Sequence, residues 1–358
     1  MAEKGENMAE NLPKKAKKVE ISLLNVFFCF MVLTIHTLSA GIVGLDKTSW
    51  QFMSVYLPWN ICSVAVYGFL FLSGLKLFLK FDRPFSVKEF YIRRAGKIIV
   101  PYVVAVTVYY LAFCCIGAYK LGLIEWVKFI CLGNVASHFY FVVALVQFYL
   151  LMPLWRKIVA SWSMPIVLGG ALAVNVLFWS SANVVVNLGV INHFTDRIFV
   201  SYLFYWLLGC YLGRYYEKFL EVLENNKLLI SLCFAVAALG FLHFYYHAVY
   251  GGLAFQYVDL WKHFYLVSAI TFFFMLANQL KNQTFAQKKW FVFFDRQSYN
   301  IYLWHMFFLL ACEYALQRFP GLDMMLVLAL RAISVVVVCS IFCLLLEKGK
   351  GWLKKTKQ

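Results

Sequence analysis

Apolar runs of about twenty residues recur along this chain, and a run of that length is what a helix needs to cross a hydrocarbon core about 30 Å thick. Inside a bilayer every backbone N–H and C=O must be paired, so a chain with many such runs folds as a bundle of spanning helices. Ten runs are present, at roughly 20–42, 53–79, 98–118, 138–154, 162–179, 198–213, 228–248, 261–279, 297–316 and 325–346. The expected fold is therefore all-α and integral to the membrane. It is a single bundle of about ten transmembrane helices over 20–346, with basic tails at 1–19 and 347–358. The connections are too short to hold a separate soluble domain.

Composition points the same way. The chain is 63% hydrophobic and 14% charged, where a soluble domain has about 45–50% and about 25%. The hydrophilic start and the length of the first run argue against a secretory leader, whose apolar region spans about 7–15 residues, so the first span is expected to be retained. The ten cysteines lie almost all in apolar runs and form no C-x-x-C. They read as small buried hydrophobes, not as a disulfide or zinc framework.

A net charge of +16 would suit a nucleic-acid partner if it were clustered, but its distribution says otherwise. Numbering the connections alternately, 25 Lys and Arg fall on one side and 6 on the other. Such an asymmetry marks the cytoplasmic side, so both termini are expected there, in a multi-pass protein of the cell membrane. The cations face anionic headgroups, which makes membrane lipid the partner and not nucleic acid. On this topology no histidine falls in a cytoplasmic loop. His36 lies toward the outer end of the first span, His138 opens the fourth and His193 is in an outer loop. His243 and His247 close the seventh, His263 opens the eighth and His305 sits near the middle of the ninth.

The first span carries a polar stripe. Ser22, Asn25, Cys29, His36 and Ser39 share one face at 3.6 residues per turn, and the rest of the helix is aliphatic or aromatic. Polar residues in a span usually face the bundle interior or a wet cavity. The plain alternative is an interhelical hydrogen bond, worth about 0.6 kcal/mol on average.

Four further stretches are distinctive: FLFLSG (69–74), FYIRRAGKIIVPY (90–102), SHFYFVVALVQFYLLMP (137–153) and SYNIYLWH (298–305). With the His-bearing first span, in this order and spacing, they resemble membrane-bound acyltransferase family 3, whose ten-helix members acylate surface glycans. The resemblance implies that His36 is the catalytic base. It places donor binding on Arg93, Arg94 and Lys97, followed by Pro101, and on Ser73. The family's H-x-W-F stretch falls on His138 to Phe141, with Tyr140 where Trp is usual, and its S-Y-x-I-Y-L-x-H stretch ends on His305. The chain departs from the family at Asn25, eleven residues before His36, where an arginine is common. Either the donor is gripped differently, or the chain marks a subfamily in which Asn hydrogen-bonds the donor, or it is a member with altered or lost activity.

The expected reaction moves an acetyl or other small acyl group to a hydroxyl of an extracytoplasmic glycan or glycolipid. The donor is a cytoplasmic acyl-CoA, acetyl-CoA foremost, with no permanently bound cofactor and no metal. Such a transfer needs a base near neutral pH and charge stabilisation on the thioester oxygen, and imidazole suits the first role. Arginine and lysine suit phosphate recognition, although positive-inside anchoring accounts for the cluster at 93–97 equally well. Direct transfer and a covalent acyl-histidine both remain open. His305 and Glu313 could assist or orient the base; packing and a watery outer rim are their plain alternatives. Lys76 and Arg331, inside spans, are expected to snorkel. His243 and His247 are one turn apart, as metal ligands can be, without a third ligand in view. The competing reading is a transporter or flippase for a polysaccharide or lipid-linked intermediate. That would favour broken helices in two related halves, and no clear internal repeat is present.

Overall fold

The computed structural model describes residues 18–187, 194–253 and 255–355. The helices, in order, are α1 (Val19–Gly44), α2 (Trp50–Cys62), α3 (Ala65–Phe78), α4 (Val87–Arg94), α5 (Val100–Cys115), α6 (Leu123–Leu132), α7 (Tyr140–Leu150) and α8 (Met152–Ser161). They continue with α9 (Met164–Asn187), α10 (Leu203–Arg214), α11 (Tyr216–Asn225), α12 (Lys227–Tyr250), α13 (Phe255–Leu280), α14 (Lys289–Leu316), α15 (Met324–Ile333) and α16 (Cys339–Lys355). No strand occurs among the described residues. Residue His193 and the tail through Lys17 lie outside them. The last helix runs on to Lys355, past the boundary expected at 346.

Among the described residues seven helical stretches are long and apolar enough to cross a membrane, and eight if α7 and α8, bent by 60°, form one broken span. The protein is thus a multi-pass membrane protein. Besides this bent pair, two more of the ten expected segments depart from a simple span. The segment 198–213 holds a short 3-10 turn and then α10, whose 12 residues cover about 18 Å. The segment 297–316 lies in α14, whose 28 residues are long enough but whose first half carries Asp295, Arg296, Gln297 and Asn300. Those polar groups are paired. Arg296 and Gln297 each donate to Glu347 of α16, both at 2.9 Å, and Asn300 donates to Gln297 at 2.6 Å.

Helix α1 is the hub, touching α2, α3, α13, α14 and α15. One interface has no room for side chains. Gly209 and Gly213 of α10 press on the backbone of α3 at Phe71 and Leu75, and a Cβ on Gly74 would lie 2.6 Å from the Trp206 carbonyl oxygen. Where lipid removes the hydrophobic drive between helices, such small-residue contacts let backbones approach and pack. Two π-helical turns interrupt the bundle, Ala95–Ile99 between α4 and α5 and Ser334–Val338 between α15 and α16. Side chains of α14 and of the second turn bind across them: the Tyr299 hydroxyl donates to the Ile98 carbonyl at 2.9 Å, and Ser334 donates to the Phe308 carbonyl at 2.8 Å.

Replacing Gly209 by valine should push α10 off α3. The expected cost is at least the about 1–3 kcal/mol usual for overpacking, read as a lower midpoint in a thermal melt of the purified protein. An unchanged midpoint would mean that the α3–α10 crossing does not hold the bundle together.

Candidate active site

The polar stripe of α1 is what organises the bundle interior. At its inner end the Asn25 amide donates to Ser298 Oγ at 2.8 Å, to Asp295 Oδ1 at 3.0 Å and to the Asp295 carbonyl at 3.2 Å, while its oxygen accepts from Lys76 Nζ at 3.2 Å. One side chain of α1 therefore binds both α3 and α14. A turn further on, the Cys29 thiol lies 3.9 Å from the Ser298 carbonyl.

Toward the other end of the stripe three histidines converge, from α1, from the turn before α7 and from α14. The His305 ring is 5.1 Å from His36 and 4.8 Å from His138, and His36 lies 6.3 Å from His138, centroid to centroid. Local backbone fixes two of them. His305 Nδ1 faces the Tyr302 carbonyl at 2.7 Å and the Ile301 carbonyl at 3.2 Å. Carbonyls only accept, so Nδ1 carries the proton and Nε2 a lone pair. His138 Nε2 faces the Leu303 carbonyl at 3.4 Å, which leaves the lone pair on Nδ1. Both lone-pair nitrogens, His305 Nε2 and His138 Nδ1, are buried without a hydrogen-bond partner. The His36 ring is half-buried and forms no hydrogen bond within the described structure. Native proteins leave few buried polar atoms unsatisfied, and two of them meet here around one free imidazole.

The backbone beneath His36 is held from outside α1. Arg331 of α15 is 1% exposed. It donates to the carbonyls of His36 at 2.5 Å and Thr37 at 2.8 Å, to Ser39 Oγ at 3.0 Å, and to Glu313 of α14. The snorkelling expected of Arg331 is thus corrected: Glu313 and three acceptors on α1 satisfy the guanidinium where it stands. Glu313 accordingly reaches His36 only through Arg331 and does not touch its ring.

Two cavities lie on the Asn25 side of the histidines. The inner one, about 250 Å³, is lined by Asn25, Ser73, Lys76 and Arg94 among aromatic side chains, and Tyr302 walls it. The Tyr302 ring lies 5.2 Å from His138 and 5.9 Å from His305, and its hydroxyl donates to the His138 carbonyl. The outer cavity, about 1010 Å³, is lined by Lys18, Lys76, Lys80, Arg214, Lys218 and Lys281, with Glu20, Glu217 and Asp295 as its acids.

Of the three cations expected to share one opening, Arg94 alone lines either of these two cavities, its guanidinium 5.1 Å from the Tyr149 ring centre. Arg93 is exposed and paired with Glu89 at 2.5 Å, and Lys97 is exposed within the π turn. The wider π turn rotates Lys97 away from Arg94, so the three do not face one way. Tyr140 also lies apart from the histidines, beside Tyr202 and Tyr67. Other histidines have separate settings. His263 is paired with the Tyr205 hydroxyl at 2.7 Å, and the His243 ring meets that of His247 edge-on at 4.5 Å. Among the described residues no group of three or more His, Cys, Asp or Glu is arranged to hold a metal ion.

The model of the acyltransferase domain of family 3 matches residues 18–346. The chain belongs to membrane-bound acyltransferase family 3. Relatives from two Staphylococcus aureus strains, MRSA252 and MSSA476, are each described as "Probable poly-beta-1,6-N-acetyl-D-glucosamine export protein". Each is 23% identical over 239 residues, 62% of this chain and 64% of the relative. The match thus spans less than two thirds of these relatives' length. No solved structure matches.

Sequence reasoning missed the family member's two interior cations as site residues. Their signal was present, since a cation well inside an apolar run is costly and needs a partner. Arg331→Met should leave the carbonyls of His36 and Thr37 and the Glu313 carboxylate without their donor. A loss of about 3 kcal/mol or more in unfolding is expected, with Glu313→Gln costing less. Equal melting of wild type and Arg331→Met would show that the guanidinium does not hold α1.

Proposed function

We propose that this family member is an integral-membrane O-acyltransferase. It moves an acetyl or other small acyl group from cytoplasmic acyl-CoA to a hydroxyl of an extracytoplasmic glycan or glycolipid, with His36 as general base. The observation that carries this reading is the pair of unpartnered lone-pair nitrogens, on His138 and His305, beside the free His36 ring. In the proposed step an imidazole takes the acceptor's hydroxyl proton while the oxygen bonds to the thioester carbonyl carbon. Collapse of the adduct breaks the C–S bond, and the thiolate leaves with that proton. His305 and His138 are set by backbone carbonyls to receive a hydrogen bond or a proton from His36, the kind of positioned acid–base group worth about 10²–10⁴-fold. The donor enters from the cationic cavities, and the Tyr302 ring swings to admit its acyl end, since the histidines lie about one helical turn beyond it.

The ten-span topology with cytoplasmic termini belongs to this reading, because the basic outer cavity must then open where acyl-CoA is made. Reporter fusions after Asp46 and Gly321 are expected to report the outside, and one after Lys218 the inside; the reverse pattern would put the donor path on the wrong face.

The printed name of the staphylococcal relatives favours a second reading, export of a polysaccharide. Proteoliposomes separate the two, by release of label from acetyl-CoA onto a glycan against movement of unmodified glycan across the bilayer. His36→Gln keeps a hydrogen-bonding side chain but cannot accept a proton near neutral pH. It should leave the protein folded and inserted and cut acyl transfer by about 10²–10⁴-fold. Transfer near the wild-type rate in a protein of unchanged melting point would return His36 to a packing role.

A further inference from the structure

Lys76 is the residue common to the two cavities. It projects from α3 to Asn25 Oδ1 at 3.2 Å, so its ammonium stands at the throat between them. The chambers it joins differ in chemistry. The outer one is wide, with six cations against three carboxylates, and one of those carboxylates, Glu217, is already paired with Lys18 at 3.0 Å. The inner one is narrow and walled mainly by Phe, Tyr, Leu and Ile, with Arg94 as its other cation. A ligand that fits both has a large anionic head, a slim and weakly polar arm, and a charge at the joint.

The spacing limits that arm. The throat lies beside Asn25 and Ser298. From there to His36 is eleven residues of α1, about 16 Å, and to His305 seven residues of α14, about 10 Å. An extended phosphopantetheine arm reaches that far. We infer that Lys76 binds the first phosphate of a phosphopantetheine thioester at the throat, with the arm in the inner chamber and the remaining anionic groups in the outer one. Asn25 holds the ammonium in place, and Arg94 faces the arm from the opposite wall. The inference rests on the acyl-transfer reading and names the residue that gives its donor site selectivity for phosphorylated donors.

Two sources offer this chemistry, free coenzyme A and an arm borne on a carrier protein. The test compares three acetyl donors in reconstituted membranes: acetyl-CoA, S-acetyl-4′-phosphopantetheine and S-acetylpantetheine. The variants are Lys76→Met, Lys76→Gln, which can still bond to Asn25, and Lys76→Arg, with a thermal melt for each. In the Gln and Met variants, kcat/KM for the two phosphorylated donors should fall about 10- to 100-fold relative to S-acetylpantetheine, the worth of one charge-assisted hydrogen bond. The loss should appear in KM, and Lys76→Arg should recover most of it. A loss shared equally by all three donors would make Lys76 structural and overturn the inference, as would unchanged selectivity. If wild type transfers from none of the donors, the acyl-transfer reading fails and this inference falls with it. A wild-type preference for acetyl-CoA over the phosphopantetheine donor identifies coenzyme A as the source, and equal use identifies a carrier-borne arm; either upholds the binding role of Lys76.

Discussion

A polar group in hydrocarbon must find a partner, and on α1 that requirement decides which helices surround it. Asn25 cannot satisfy its amide within its own helix, and it draws in α14 through Asp295 and Ser298 and α3 through Lys76. Three turns on, α1 is gripped again, this time through its carbonyls by Arg331. Between these two clamps the helix has little freedom to rotate. His36 is thereby kept toward His138 and His305 and away from lipid. The catalytic reading depends on this, because an imidazole free to turn outward would not share a site with two others.

Much of this was legible in the sequence. The apolar runs marked the helices, and the spacing of Ser22, Asn25, Cys29, His36 and Ser39 marked the interior face of α1. What the sequence could not supply was the meeting of segments far apart in the chain. His36, His138 and His305 were singled out separately, and their convergence follows from the packing of α14 between the other two segments. The grouping of Arg93, Arg94 and Lys97 failed for a local reason. Arg93 and Arg94, as chain neighbours on α4, stand about 100° apart, and a π turn that begins at Ala95 changes the winding before Lys97. Counting apolar residues likewise describes α14 poorly. Its polar half is soluble in the bundle because each group is paired with a neighbour, which no single-helix hydropathy can register.

The histidine layer bears on the choice between moving an acyl group and moving a polymer. Rings fill that level: Phe139 lies 4.0 Å from His138, Tyr109 lies 5.1 Å from Phe139, and Phe141 lies 5.4 Å from Tyr302. Passing a glycan chain here would mean parting several packed aromatic side chains, whose contacts are each worth about 0.5–1.5 kcal/mol beyond burial. On the proposed route an acetyl group has to pass Tyr302, the ring that walls the inner cavity. The packing thus weighs toward the proposed group transfer and against passage of a polymer.

The substitution at position 25 fits the same logic. An arginine there would bring its own cation to the throat on α1. Asparagine brings none, but its short amide leaves room for Lys76 to arrive from α3 and gives it an oxygen to hold. The charge is then supplied by one helix and oriented by another. A lysine ammonium is a compact point charge where a guanidinium is a planar fork that binds phosphate through two bonds. A throat built this way should grip its donor less tightly and release the spent thiol more readily. On the proposed reading, the exchange of Arg for an Asn–Lys pair changes donor affinity and keeps the site, because Asn25 still ties α1 to α14 through Asp295 and Ser298 and so keeps its share in orienting His36.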